Sequence, residues 1–146
     1  MDVPFLNLAA IHSSVETEME NAFLKVYRSN WYVLGEELKQ FELEYSKFTK
    51  VDFAVGISNG LDALIVALKA LKIGGGDEVI IPSNTYIATA LAVTAVGAVP
   101  VLVEPDEFTY NINPNLIEEA ITSSTKAILP VHLYGQACEM DLIVAI

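Results

Sequence analysis

The sequence predicts an α/β fold, three-layered α/β/α around a mainly parallel sheet, on three observations. After Lys50, short apolar runs of strand length alternate with longer apolar runs of helix length, the pattern of βαβ crossovers. The strand-length runs are apolar throughout rather than at every second residue, as strands covered on both faces are. The chain has 146 residues, 53% of them hydrophobic, enough for one domain with a real core.

The elements follow in order. Val15, Met19, Ala22, Phe23, Val26 and Tyr27 recur at helical spacing over residues 13–27, with Ser13 or Ser14 as the cap. RSNWYVLG then leads to a second amphipathic helix over 36–48, with Leu38, Phe41, Tyr45 and Phe48 on one stripe. Residues 1–50 thus read as an N-terminal helical arm, and residues 51–146 as the start of an α/β sheet. There DFAVGIS reads as a strand, GLDALIVALKALK as a helix apolar on nearly all sides, and DEVIIP as a strand. TYIATALAVTAVG reads as a buried helix and VPVLVEP as a third strand. PNLIEEAI reads as a short helix with proline in its first turn, and KAILPVHL as a fourth strand. CEMDLIVAI opens another helix with no strand after it, so the expected domain is incomplete, part of a larger protein.

Charge narrows the function. Eight basic against 19 acidic residues give a net charge of −11, and Arg28 is the sole arginine. Nucleic-acid affinity comes chiefly from cations neutralising phosphates, so no nucleic-acid partner is expected. Residues Val79 to Val103 carry no charge, but Pro82, Gly97 and Pro100 cut the stretch into strand, helix and strand, so no membrane partner is expected either. The start, MDVPFLNLAA, lacks the basic and long apolar regions of a secretory signal, which makes cytoplasmic the expected location. A single cysteine, Cys138, excludes a disulfide framework, and no set of His, Cys and carboxylates shows metal-ligand spacing.

In an open parallel sheet, ligands bind beyond the carboxyl ends of the strands. Three segments are expected there: Ser58–Asp62, Pro82–Tyr86 and His132–Gln136. In the first, a helix start with glycine at position 60 suits a phosphate, since free N–H groups and about half a positive charge gather at a helix N-terminus. Asn59 as N-cap would put Asp62 at N3, within reach of a backbone N–H. The same residues also describe an ordinary capped helix. In the second, Tyr86 in a first helical turn could stack on a planar heterocycle, or be a core tyrosine. His132 could do acid–base work, or be a hydrogen-bonded histidine in a turn. Taken together, a phosphate cradle beside an aromatic ring fits pyridoxal phosphate (PLP) better than a dinucleotide, which would want a longer glycine run.

These residues carry a family resemblance. SNWYVLGEELKQFELEY, FAVGISNGLDAL, GGGDEVIIPSNTYIATALAV, GAVPVLVEPD, AITSSTKAILPVHLYGQ and EMD resemble, in order and spacing, the N-terminal portion of the DegT-type sugar-nucleotide aminotransferases. The resemblance implies the start of the large domain of a PLP enzyme of the aspartate-aminotransferase fold. It implies that Asn59, Gly60 and Leu61 hold the cofactor phosphate through backbone amides, and that Tyr86 lies against the pyridine ring. It places the loop around Trp31 and Tyr32 near the active site or the partner subunit. The family's commoner Ser-Gly-Thr-Asp cradle is Asn59-Gly60-Leu61-Asp62 here, so a threonine hydroxyl is lost and the backbone N–H of Leu61 remains. This variant resembles the branch acting on dTDP-3-keto-6-deoxyhexoses, with a 4-keto sugar still open.

By the same resemblance the amino donor is an amino acid, glutamate, and the complete enzyme is a homodimer. The family's pyridine-binding aspartate and Schiff-base lysine are expected downstream of residue 146. The lysines present sit on the two amphipathic helices, at the far end of the helix after Asn59 (Lys69, Lys72) or at the start of a strand (Lys126). No catalytic residue is therefore expected within this chain, and the chain alone is expected to be inactive. A PLP-dependent keto-sugar dehydratase of the same fold and a non-catalytic remnant stand as alternatives.

Overall fold

A computed structural model describes residues 4–146. They form two compact units, one ending at Gly56 and the other spanning Ile57–Ile146.

The first unit is helical, with α1 (Leu8–His12), α2 (Glu16–Ser29) and α3 (Glu36–Thr49). Helix α2 begins later than the sequence predicts. Neither serine caps it: Ser13 Oγ donates to Ala10 O at 3.2 Å and Ser14 Oγ to Ile11 O at 2.8 Å, closing α1 instead. Val15 takes the N-cap position with no side-chain bond. Glu16 and Glu18 in the first turn and Arg28 in the last complement the helix dipole. The loop before α3 is held from within, since Trp31 Nε1 donates to Val33 O at 2.7 Å and Tyr32 Oη to Tyr27 O at 3.1 Å. Lys25 pairs with Glu37 at 2.6 Å.

The predicted strand DFAVGIS does not form. Phe53 is 85% exposed, and the segment has no ladder partner among the described residues. A strand is defined by its neighbour's hydrogen bonds, so an apolar run without one stays extended coil. Its end is nonetheless fixed on α3. Gly56 N donates to Glu42 Oε1 at 2.7 Å, and a Cβ at Gly56 would lie 2.5 Å from Leu38 Cδ1, so a larger residue there would require the Leu38 side chain to shift.

The second unit contains α4 (Gly60–Ala70), β1 (Glu78–Pro82), α5 (Ala88–Ala95), β2 (Val99–Val103), β3 (Thr125–Ile128) and α6 (Met140–Ala145). Its sheet has the order β2-β1-β3, with β1 parallel to both neighbours. Glu78 to Pro82 lie opposite Val99 to Val103 without interruption. The expected parallel α/β architecture is present, as three strands.

The side-chain alternation of β1 creates the layers. Val79, Ile80 and Ile81 are all fully buried. Val79 and Ile81 join Leu68 of α4 with Ala92 and Val93 of α5. Ile80 enters the opposite cluster with Val103, Ile112, Ile117, Cys138 and Ile143 of α6. A strand flanked by two cores has no face left for a charge, which explains its unbroken apolar run.

Other boundaries differ for local reasons. Helix α5 begins at Ala88 rather than Thr85, because Thr85 is used in a turn: its N–H donates to Pro82 O, and its hydroxyl pairs with Thr89 Oγ1 at 2.9 Å. PNLIEEAI forms two 3₁₀ turns, Pro114–Leu116 and Glu118–Ala120, instead of one α-helix. The predicted fourth strand stops at Ile128, after which Leu129 N donates to Ile80 O at 2.8 Å. Pro130 follows and has no N–H to extend a ladder. Helix α4 buries only Leu68 fully, so its apolar circumference exceeds what the first cluster covers. No helix among the described residues is long and apolar enough to cross a membrane.

Ile80→Ala should lower the unfolding free energy by about 2–5 kcal/mol, whereas Val66→Ala, on an exposed face of α4, should change it by no more than about 0.5 kcal/mol. Urea denaturation of the two variants checks the contrast.

Candidate functional site

Parallel pairing brings the carboxyl ends of β1, β2 and β3 to one edge of the sheet. The chain leaves β1 through residues 83–87, and Ser83 N donates to Val103 O at 2.9 Å, tying the exit to β2. Asn84 Nδ2 donates to Tyr110 O at 2.9 Å. Tyr86 lies two residues before α5, not in its first turn, and is 77% exposed. It is therefore not a core tyrosine.

Asn59 is the N-cap of α4, in extended backbone, and its Oδ1 accepts from Asp62 N at 2.9 Å. The predicted cap is present, but Asp62 does not reach back to a backbone N–H. Its Oδ2 accepts instead from the side chains of Asn59, at 3.0 Å, and of Ser58. With Asp62 N on Asn59 Oδ1 and Ala63 N on Asn59 O, the amides of Gly60 and Leu61 are the two in the first turn with no acceptor among the described residues. A Cβ placed on Gly60 would meet nothing within 4 Å and would project into open space.

Asn59, Gly60, Leu61 and Tyr86 line one open concavity of about 650 Å³, floored by Leu64 and the start of α5. Its volume is in the range of small-molecule sites. The two segments that carry the predicted site residues thus meet. Chemically, two unbonded amides at the positive end of an 11-residue helix can hold an anion of phosphate size, and an exposed phenol ring offers a flat face to a heterocycle. The residues present fit a planar group carrying one phosphate.

The third segment is built differently. His132 is absent from that concavity, and its Nδ1 accepts from Cys138 N at 3.0 Å. In neutral form its proton therefore sits on Nε2. Cys138 Sγ donates to Val131 O at 3.2 Å, and burial pushes its thiol pKa up. Sequence reasoning missed Asn111, which is 3% exposed. Its Oδ1 accepts from Leu133 N at 3.0 Å, and its Nδ2 donates to the carbonyls of Gln136 and Ala137 at 3.0 and 3.2 Å. Tyr110 and Tyr134 both hold left-handed backbone, φ +59° and +56°, with rings edge-to-face at 6.2 Å. No local pattern marks the Asn111 side chain, because all of that side chain's partners lie more than 20 residues away.

Comparison with known proteins identifies the fold and the family. Residues 13–146 match the DegT/DnrJ/EryC1/StrS aminotransferase family. A relative from Aneurinibacillus thermoaerophilus, dTDP-3-amino-3,6-dideoxy-alpha-D-galactopyranose transaminase, is 52% identical over 141 residues, 97% of this chain and 39% of its own length. The crystal structure of S. venezuelae DesV in complex with a ketimine intermediate superposes with a TM-score of 0.94 at 50% identity, over 98% of this chain and 38% of that one. The structure of NtdA from Bacillus subtilis with bound cofactor PMP gives 0.90 at 40% identity, over 97% of this chain and 33% of that one. The fold is that of the N-terminal part of PLP aminotransferases. The chain belongs to the DegT/DnrJ/EryC1/StrS aminotransferase family, and it spans about two fifths of the length of the relatives it matches.

Three outcomes follow from the bonds that hold the third segment. Asn111→Ala removes one partner from three buried hydrogen bonds and should destabilise the unit by about 2–4 kcal/mol, measured by urea unfolding. Cys138 should react with iodoacetamide much more slowly than a free thiol at pH 8. Its raised folded pKa means that the native state holds a proton the unfolded state loses above about pH 8.5. Stability should therefore fall as pH rises through that value, and Cys138→Ala should flatten the fall.

Proposed function

We propose that this chain is the cofactor-phosphate-binding portion of a PLP-dependent aminotransferase that aminates a keto carbon of a dTDP-linked 6-deoxyhexose, most specifically the 3-keto sugar, with glutamate as donor. The observation that carries the reading is the meeting of the unbonded Gly60 and Leu61 amides with the exposed Tyr86 ring on one concavity, in a family whose solved member NtdA holds PMP. The dTDP-sugar assignment rests on the A. thermoaerophilus relative and on a Streptomyces venezuelae relative, dTDP-3-amino-3,4,6-trideoxy-alpha-D-glucose transaminase, 51% identical over 139 residues.

In this reading the amides of Gly60 and Leu61 bind the cofactor phosphate, with the helix dipole adding favourable potential. Gly60 lines the concavity and carries no Cβ, which leaves its amide open to close approach by an oxygen. Leu61 contributes only its backbone, and Tyr86 covers one face of the pyridine ring. Bound PLP supplies the electron sink for amino-group transfer.

The groups that move protons during transfer come from elsewhere. Lys69 is nine residues along α4 from Gly60, about 14 Å at 1.5 Å per residue. Lys72 lies beyond it, and Lys126 is near the first residue of β3, at the opposite edge of the sheet from the concavity. We assign the lysine that links to the cofactor, and the carboxylate that protonates its ring nitrogen, to the part of the relatives' length that this chain does not span. This chain alone is accordingly inactive, and the complete protein is a homodimer.

Calorimetric titration with pyridoxamine 5′-phosphate (PMP) and with pyridoxamine tests the phosphate assignment. PMP should bind at least ten-fold more tightly, and equal affinities would refute the cradle. Gly60→Ala should leave thermal stability unchanged or slightly higher, alanine being the better helix former by up to about 1 kcal/mol, yet weaken PMP. Borohydride reduction in the presence of PLP should label no single lysine stoichiometrically; one uniquely labelled lysine would overturn the claim of inactivity.

A further inference from the structure

The first turn of α4 holds a carboxylate where an anion site needs none. Asp62 is at N3, and charge alone makes it a competitor for the positive end of the helix. Its contacts give it a different part. One oxygen, Oδ2, accepts from both Ser58 Oγ and Asn59 Nδ2, while the Asp62 backbone N–H donates to Asn59 Oδ1. The amide of Asn59 is thereby held on both its atoms by one residue, and Ser58 is drawn to the same point. Every side-chain group in the turn is directed at Asp62, and none is left to accept from the Gly60 or Leu61 amides.

We propose that Asp62 is a positioning residue for anion binding. Its Oδ2 clasps the Ser58 hydroxyl and the Asn59 carboxamide, fixing the turn so that the Gly60 and Leu61 amides stay unbonded and face the concavity together. The inference rests on the proposed phosphate cradle and names the residue that shapes it. Released from the carboxylate, Ser58 regains rotamers, and its hydroxyl oxygen becomes an acceptor for the two amides, closing the site from within. The N-cap bond itself uses the backbone of residue 62, so it survives truncation of the side chain.

Three substitutions separate the clasp from simple electrostatics. Asparagine keeps an acceptor oxygen where Oδ2 stands and removes the charge; alanine removes both. The clasp predicts that Asp62→Ala weakens PMP binding by at least ten-fold, that Asp62→Asn stays within about three-fold of the parent, and that Ser58→Ala, which removes the oxygen that would close the site, stays near the parent and restores binding when added to Asp62→Ala. Electrostatic competition predicts the reverse sign, with tighter binding for both Asp62 variants. Affinities for PMP and for inorganic phosphate are read by calorimetry on the 146-residue chain, with circular dichroism to check that helix content is kept. Asp62→Ala binding PMP as tightly as the parent, or more so, overturns the clasp while leaving the cradle standing. A parent chain that does not distinguish PMP from pyridoxamine removes the cradle itself.

Discussion

Parallel pairing on both sides of Glu78–Pro82 is the constraint from which the rest of the second unit follows. After Glu78 at its entrance, a strand with neighbours on both edges and cores on both faces leaves no room for charge or solvent, so its middle is Val-Ile-Ile and those side chains divide between two clusters. Parallel strands cannot be joined by a tight turn, which forces the α5 crossover between β1 and β2. They also send their carboxyl ends to one edge, and that edge is where residues 83–87 deliver Tyr86.

The site is economical in its chemistry. In the proposed function neutral backbone amides receive the anion, so binding would demand no cation from a chain whose net charge is −11. The polar side chains of the turn bond to one another, and the aromatic ring stands clear of the core. Such a site grips and orients but moves no proton. Its residues supply binding, the share of a cofactor enzyme's work that a protein contributes before any chemistry. Asn84 and Asn111 hold the neighbouring loops by bonds that cross 22 to 26 residues of sequence, which confers rigidity on segments that have little regular structure.

The parts of this architecture that rest on local order were legible in the sequence. The helix after Asn59, its cap, and the apolar strands β1 and β2 all announce themselves within a few residues. What the sequence hid depends on partners. DFAVGIS has the composition of a strand, yet composition cannot supply the neighbour whose hydrogen bonds would make it one. Tyr86 is expected in the first turn of a helix because TYIATALAV has continuous helical character; the Thr85 turn that delays α5 shows only in three dimensions. The Asp62 clasp likewise looked like a capping box, since spacing alone does not say whether the carboxylate meets a backbone or a side-chain donor.

The main-chain hydrogens at the start of α4 bear the whole account, and heteronuclear NMR observes them one by one. On adding PMP to the ¹⁵N-labelled chain, the Gly60 and Leu61 amide protons should move downfield more than any others, with Tyr86 ring protons shifting in step. Shifts concentrated elsewhere, with those two amides unmoved at saturation, would contradict it.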